Sequence, residues 1–344
     1  MTAVIERKNN GRLEYVDALR GFGIVLMIAG HVGFGQIFDI YIHSFHMPLF
    51  FFISGFLFNE SNKEIGIKRF VLKKTKSFIV PYLFFGIIDF VILYIVSRKF
   101  SIQNIMITFL YSNHNNFPIS GALWFLFCLY IVEIIFFLLR TKLSDTRLAL
   151  VIAITAIVGN ILPVQLPLSL DTAMVGLGLF GVGYFLRHYN NKASINFLFN
   201  MNIFWLLIFF VFNTILIFIN GYVNIRLCSY SIIPLFWINS IVAFLCYFNL
   251  FYKIEVINNK LIKTINNWLK DIGRNSIIFV CLNQIVLLIL NKIATICSLI
   301  NINFFLLHLI ILIAALSCLK IASVIINRTK LRVLIGKSEN TFPL

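Results

Sequence analysis

The chain has 344 residues, of which 60% are hydrophobic and only 12% are charged. Soluble globular domains average about 25% charged residues, so the composition excludes an ordinary soluble protein and predicts an integral membrane protein. The net charge of +16 would suit nucleic acid in a soluble protein, but no hydrophilic domain is left over to bind it, so no nucleic-acid partner is expected.

After a polar, basic segment (1–13), the chain contains ten apolar runs of about the length that a transmembrane helix needs. They are 18–36, 41–59, 77–97, 119–139, 147–163, 171–187, 203–219, 230–252, 275–291 and 304–326. A shorter stretch, 100–111, is typical of an interfacial or re-entrant piece. The predicted fold class is all-α: a polytopic bundle of about ten transmembrane helices in lipid, forming one domain over 1–344.

The basic residues between the runs predict the orientation. With the N-terminus inside, most of them fall in inner segments, and few fall in outer loops. The outer ones are Arg98, Lys99, Arg226 and Lys292. This asymmetry follows the positive-inside rule. It predicts ten spans with both ends (1–13 and 327–344) in the cytoplasm. No small-residue cleavage pattern follows the first run, so no cleavable signal peptide is expected.

The first run carries ionisable side chains where a membrane helix can least accommodate them. Asp17 precedes it, and Arg20 and His31 lie within it. In a helix, Arg20 and His31 would lie roughly 20° apart and about 16 Å along the axis, with Asp17 on the same face. Ionisable residues inside a membrane usually face a polar cavity and mark function.

The second run adds His43 and His46, three residues apart, and then Pro48, which suits a helix start or a kink. In the predicted topology they return to an outer depth similar to that of His31, so three imidazoles are expected to converge. Three histidines also suit zinc, but no nearby cysteine or intramembrane carboxylate completes such a site, so no metal is expected.

Four motifs resemble those of the membrane-bound acyltransferase-3 family. The segment 17–21 reads DALRG, and His31 follows its arginine after ten residues. The segment 46–55 reads HMPLFFFISG. The later segments 122–126 (ALWFL) and 273–276 (GRNS) are similar to a Leu-Trp-Phe and a Gly-x-Asn-Ser motif. The resemblance covers the whole chain.

Two departures from the family pattern stand out. Many relatives have a histidine about seven residues after the Asn-Ser motif, where this chain has Asn283 and Gln284. The resemblance therefore implies that an amide takes that place or that the histidine is dispensable. The hydrolase-like domain fused to some relatives is also missing, which indicates a stand-alone form.

The resemblance implies an O-acyltransferase in a bacterial inner membrane. It would move an acetyl group from cytosolic acetyl-CoA to a hydroxyl of an envelope carbohydrate, such as O-antigen, capsule, exopolysaccharide or a lipid-linked glycan. Arg20 suits bidentate pairing with the donor's phosphates, and Asp17 would orient Arg20 or contact the nucleotide. An imidazole suits the general base, which we assign to His31. His46 and His43 would assist the base or hold the sugar.

Three further residues have two interpretations each. Ser54 would donate to the developing oxyanion or simply pack between helices. Trp124 would stack on the sugar or donor, or anchor the helix at the membrane interface. Glu133, buried in its run, would take part in donor or substrate binding or pair with a cation in the bundle.

Two other functions stay open at this stage. A transporter or flippase of a polar lipid or solute would also bury ionisable groups along its pathway, although no inverted repeat is visible. The same site would equally serve an acyltransferase that uses another group, such as succinyl.

Overall fold

A computed structural model of the chain describes residues 8–9, 12–59, 66–98, 101–115, 117–162, 164–189, 201–297 and 303–337. This part is almost entirely helical, apart from a short hairpin of β1 (Lys8–Asn9) and β2 (Arg12–Leu13). The prediction of an all-α protein is confirmed. Of the predicted cytoplasmic and outer segments, 1–7, 10–11, 60–65, 190–200, 338–344 and Lys99 lie outside the described residues.

Fourteen α-helices occur in the described residues. They are α1 (Glu14–Val32), α2 (Gln36–His43), α3 (His46–Phe56), α4 (Ile67–Lys74), α5 (Val80–Ser97), α6 (Ile102–Leu110), α7 (Trp124–Lys142), α8 (Asp145–Ile161), α9 (Leu170–His188), α10 (Ile203–Asn220), α11 (Ile233–Val256), α12 (Lys260–Arg274), α13 (Ser276–Ile296) and α14 (Phe304–Arg328). A π-helical turn (Thr75–Ile79) joins α4 to α5, and short 3₁₀ turns precede α7 and α9 and follow α14.

Each of the ten predicted apolar runs coincides with helix. Within the described residues, nine helical segments are long and apolar enough to cross a membrane. The tenth run, 147–163, forms α8, whose 17 residues make it one residue shorter than the shortest of the nine. The short stretch 100–111 forms the nine-residue helix α6.

Side chains and glycines set several helix ends. Asn202, Asn259 and Asn303 each accept a hydrogen bond from a backbone N–H in the first turn of α10, α12 and α14, as helix N-caps do. Gly33, at φ 89°, ends α1 in the left-handed region, which glycine adopts without steric cost.

The chain forms two compact units. The first combines Met1–Phe58, Leu179–Ile225 and Ser229–Ser276, and the second combines Asn59–Gly178, Arg226–Cys228 and Ile277–Leu344. The prediction of one functional domain over the whole chain stays a prediction.

In the first unit, α1 packs against α3, α11 and α12. Phe22 of α1 lies against Tyr247 of α11, with ring centroids 4.9 Å apart. The α3 and α9 backbones touch, because a Cβ on Gly55 would lie 1.9 Å from the carbonyl oxygen of Phe180. Glycine is therefore required at this crossing, as at many close helix contacts in membranes.

In the second unit, an aromatic cluster joins α5, α6 and the segment before α7. The Tyr82 ring lies 5.5 Å from Phe109 and 5.6 Å from Phe117, edge to face in both cases. The Tyr82 hydroxyl donates to the carbonyl of Phe109 at 2.9 Å. Gly86 leaves room for this cluster, since a Cβ there would lie 2.7 Å from Phe117.

The second apolar run, in which Pro48 predicts a helix start or a kink, forms two helices. The break falls between His43 and His46, where Phe45 leaves helical geometry with φ −144°. Pro48 has no N–H to donate to the carbonyl of Ser44, four residues earlier. That carbonyl accepts instead from the Ser240 hydroxyl of α11 at 3.1 Å, which stabilises the break.

The segment between the apolar runs 230–252 and 275–291 differs from the sequence prediction. Residues 253–274 are expected to be a basic inner loop, but Lys260–Arg274 forms the helix α12. Its apolar residues recur at helical spacing among lysines and asparagines. Because the polar residues interrupt them, they do not form a continuous apolar run.

Candidate active site

The helix α1 carries the three ionisable residues expected to organise the site. It runs without interruption from Glu14 to Val32, so the separation of about 16 Å between the Arg20 and His31 positions applies. Asp17 is buried, Arg20 is half-buried, and His31 is exposed in the last turn. The helix therefore presents a cation near one end and an imidazole at the other.

At the first end of α1, Asp17 has cationic partners from two other segments. The Arg12 side chain donates to both carboxylate oxygens, from Nε at 2.5 Å and Nη2 at 3.0 Å. Arg274 of α12 adds a longer contact from Nε at 3.4 Å. These contacts tie the hairpin and α12 to α1. The expected role of Asp17 toward Arg20 or the nucleotide stays a prediction.

Glu14, one turn before Asp17, extends the network. It accepts from Lys270 at 2.7 Å and from Arg274 at 3.2 Å, and Lys270 also donates to Glu255 of α11 at 2.8 Å. Burial disfavours the charged form of Lys270, but these hydrogen bonds outweigh that effect and raise the pKa of its ammonium. Three helices are thus joined by compensated charges.

Two glycines allow α12 to approach this end of α1. A Cβ on Gly21 would lie 1.9 Å from the carbonyl oxygen of Leu269, and one on Gly273 would lie 1.9 Å from that of Asp17. The two helices therefore touch backbone to backbone. This contact gives a physical reason for the glycine in each of the DALRG and GRNS motifs.

At the far end of α1, His43 and His46 lie together across the break between α2 and α3. Their ring centroids are 4.9 Å apart and nearly perpendicular. His46 is buried and His43 is half-buried. His31 lies within electrostatic range of His46. The structure therefore brings the three histidines into one neighbourhood.

Hydrogen bonds define which ring nitrogen of His43 and His46 is available to a ligand. His43 Nδ1 lies 2.9 Å from the carbonyl oxygen of Asp39, and His46 Nδ1 lies 2.7 Å from that of Ile42. A carbonyl oxygen only accepts, so Nδ1 carries the proton in both neutral rings. Each Nε2 then holds a lone pair, the form in which histidine can accept a proton or a hydroxyl hydrogen bond.

Sequence reasoning missed Asp39, which lies one helical turn before His43. Its Oδ1 is buried and has no hydrogen-bond partner among the described residues, and its carboxylate acts electrostatically on His43 and Tyr222. A buried acceptor without a partner is costly, so this oxygen is available to a polar ligand. The signal was present as an Asp and a His four residues apart in an apolar run.

Aromatic side chains also surround the histidines. Tyr222 lies 5.0 Å from His43 between ring centroids, and Tyr247 stacks on Phe45 at 5.0 Å. The Tyr41 and Tyr247 hydroxyls are 2.9 Å apart. Aromatic faces beside polar acceptors are typical of small-molecule sites. None of these tyrosines was singled out from the sequence, because tyrosine is common in membrane helices.

The expected oxyanion donor lies further along α3. Ser54 is half-buried and eight residues after His46, which is about 12 Å along a helix. One hydrogen bond does not bridge that distance, so both residues would contact the same reacting group only through an extended ligand. The catalytic and packing roles of Ser54 stay predictions.

Trp124 and Glu133 both lie on α7 in the second unit. Trp124 is 4% exposed at the start of the helix, so its ring faces protein atoms and not lipid headgroups. Glu133 is buried and pairs with Lys74, next to the π-helical turn. A cationic partner in the bundle is one of the two interpretations given above for this carboxylate.

Asp89 and Gln284 have structural partners in the second unit. Asp89 accepts from the Ser120 N–H at 2.6 Å and its hydroxyl at 2.8 Å. Gln284 accepts from the Ala122 N–H at 2.9 Å. The amide at the family's histidine position therefore supports the segment that leads into the Leu-Trp-Phe motif.

A second buried polar cluster was not expected from the sequence, which places His114 simply in a loop. Its Nε2 lies 2.5 Å from Oδ2 of Asp171, and Asn113 donates to Oδ1 of the same carboxylate at 2.7 Å. Arg226 donates to the Asn113 carbonyl at 2.7 Å. The cluster joins the turn at 113–114, the first turn of α9 and the 3₁₀ turn that holds Arg226, which are far apart in sequence.

Among the described residues, no three His, Cys, Asp or Glu side chains come together in a way that could hold a metal ion. The described site is instead a set of cations, imidazoles and one unpartnered carboxylate oxygen. Such groups can bind anionic phosphates, accept protons and orient hydroxyls.

The long apolar helices define an integral membrane protein, and the comparison with known families gives its class. The family model described as an acyltransferase domain, that of the acyltransferase-3 family, matches residues 13–324. The chain belongs to the acyltransferase-3 family, as the motif resemblance indicates. No curated protein and no solved structure matches the chain.

Proposed function

We propose that this membrane acyltransferase transfers an acetyl group from cytosolic acetyl-CoA to a hydroxyl of an envelope carbohydrate in a bacterial inner membrane. The observation that carries the proposal is the arrangement along α1. Arg20 lies near one end of this helix, and His31, His43 and His46 gather at the other.

The donor is assigned to the Arg20 end. With both termini in the cytoplasm, as the basic loops predict, this end faces the cytosolic pool of acetyl-CoA. A guanidinium forms paired hydrogen bonds with phosphate oxygens. The neighbouring carboxylates Glu14 and Asp17 already have cationic partners, which limits their repulsion of a polyanionic donor.

The acceptor is assigned to the histidine end. The lone pairs on Nε2 of His43 and His46 and the unpartnered Oδ1 of Asp39 are acceptors that match sugar hydroxyls. Tyr222 offers an aromatic face beside them. An envelope glycan presents both features that this lining complements, hydroxyl donors and an apolar sugar face.

In the proposed reaction, a neutral imidazole of His31 takes the proton from the acceptor hydroxyl as its oxygen attacks the thioester carbonyl. The tetrahedral intermediate collapses with cleavage of the carbon–sulfur bond, and the coenzyme A thiolate leaves. The imidazolium returns the proton to that thiolate, so the products are an ester and a free thiol. No metal takes part in these steps.

The test compares envelope glycans by mass spectrometry in cells with and without the gene, and in cells that carry single variants. Loss of one acetyl per acceptor unit in the deletion and in H31A and R20A, at normal membrane levels of each variant, is expected. A mass difference of one succinyl group would show that the enzyme transfers succinyl and not acetyl. Unchanged glycans in the deletion would refute the proposed transfer to an envelope carbohydrate.

The control is His308 of α14, whose Nδ1 also contacts the carbonyl four residues earlier, at 2.7 Å. H308A removes the same side chain from a membrane helix of the second unit. It should leave acetylation unchanged. Near-normal acetylation in H31A would refute the assignment of the base.

A further inference from the structure

The helix α12 presents an apolar stripe that the described residues leave largely exposed. Leu261, Ile265 and Trp268 follow one another at spacings of four and three residues, so they share one face. Their exposures are 68%, 50% and 39%. A water-exposed stripe of this kind would be unfavourable on a surface helix.

The rotation of α12 about its axis is fixed by contacts that its other faces make within the first unit. Lys270 and Asn266 are buried at 6% and 5% exposure, and both bond to Glu255. Gly273 touches the α1 backbone. The helix therefore cannot rotate about its axis to bury the apolar stripe, and nothing among the described residues is left to cover it.

The third face is polar. Lys260, Lys263 and Asn267 are exposed there, on the side of the helix away from the apolar stripe by the helical repeat. A helix with one apolar face, one lysine-rich face and a tryptophan has the composition of helices that lie in the membrane interface.

The chain itself places α12 at the membrane surface. The spanning helix α11 ends at Val256, three residues before α12, and the spanning helix α13 begins at Ser276, one residue after it. Three extended residues reach at most about 10 Å. Both ends of α12 are thus tethered close to the ends of membrane-spanning helices.

We propose that the partner of this face is the lipid bilayer: α12 lies in the membrane interface with Leu261, Ile265 and Trp268 inserted at the boundary between headgroups and acyl chains. The lysines of the polar face then point toward headgroups and water. Because α12 is clamped to α1, the helix that carries Arg20 and His31 is held at a set depth relative to that surface. This proposal does not depend on the acyl group or the acceptor.

Tryptophan quenching by brominated lipids tests the insertion directly. The full chain is reconstituted into phosphatidylcholine vesicles as a single-tryptophan protein that keeps Trp268 and carries W124F, W205F and W237F. Bromines near the headgroup should quench its emission more strongly than bromines deep in the acyl chains, and aqueous iodide should have little effect.

A matched probe lies on the neighbouring face of the same helix. In the variant with W268F and N267W, the indole lies on the polar side. Its quenching by shallow bromines should be at least about twofold weaker, and its quenching by iodide stronger, than at Trp268. A protein that keeps only Trp124, which is 4% exposed, should respond to neither quencher.

Two results would overturn the proposal. Equal bromine quenching at positions 267 and 268 would show that α12 does not lie with this face in lipid. Protection of Trp268 from both bromine and iodide would show that protein, such as a second copy of the chain, covers the stripe. Thermal unfolding of each single-tryptophan protein confirms that the substitutions preserve the fold.

Discussion

The backbone contact between α1 and α12 makes Gly21 a position where one methyl group should be strongly destabilising. A Cβ there would lie 1.9 Å from the carbonyl oxygen of Leu269, whereas ordinary contact begins at 3.4 Å. In G21A the two helices would have to separate by about 1.5 Å. Lys270 and Glu14, now 2.7 Å apart, would leave hydrogen-bond range.

Gly23, two residues further along the same helix, is the matched control. A Cβ there would meet the ring of Phe50 at 3.0 Å and a methyl of Leu49 at 3.1 Å. These side-chain ends can move by a few tenths of an ångström. G23A should gain the same helix propensity as G21A, about 1 kcal/mol, without forcing two backbones apart.

Overpacking typically costs about 1–3 kcal/mol. We therefore expect G21A to be less stable than G23A by about 2 kcal/mol, roughly a 30-fold change in the unfolding equilibrium. The free energy of unfolding is measured in mixed micelles by circular dichroism with increasing denaturant. If G21A does not insert into the membrane, its yield relative to G23A gives the same comparison. Equal stability of the two variants would refute the close contact.

Two further predictions concern buried charges. The carboxylate partners of Lys270 raise the pKa of its ammonium, so its stabilising effect should be present at neutral pH and lost as the pH rises past 10.5 through the raised value. The difference in unfolding free energy between wild type and K270M should therefore shrink at alkaline pH. A difference that stays constant with pH would contradict this. D171A leaves Asn113 and His114 without their shared acceptor, so it should cost about 3 kcal/mol in the same unfolding assay. D145A, which removes a half-exposed ion pair, should cost less than about 1 kcal/mol, and similar costs for both would refute the role of the cluster.

The membrane helices were predictable because each needs only a local property of the sequence. An apolar run of about 20 residues must be helical in lipid, where every backbone N–H and C=O has to be bonded within its own segment. All ten runs accordingly coincide with helix. Pro48 indicates a helix start or a kink beside the break at Ser44–Phe45. The donor that bonds the freed carbonyl was not predictable, because Ser240 lies almost two hundred residues away.

The candidate site was predictable in part for the same reason. The spacing of Arg20 and His31 follows from one helix, and the motifs named the family. The roles assigned to His46, His43, Ser54, Trp124 and the other site residues remain predictions, to be tested by the glycan assay.

What the sequence by itself determined about this protein is its class: a membrane-embedded, all-helical acyltransferase with ionisable groups on its first helix. Hydrophobic length, charge asymmetry and short motifs are local signals that need no knowledge of packing. Only the tertiary structure decided the partners of those groups. Asp17 meets Arg274 and Gly21 meets Leu269 because two helices far apart in sequence touch, and no spacing along the chain encodes a contact over 250 residues.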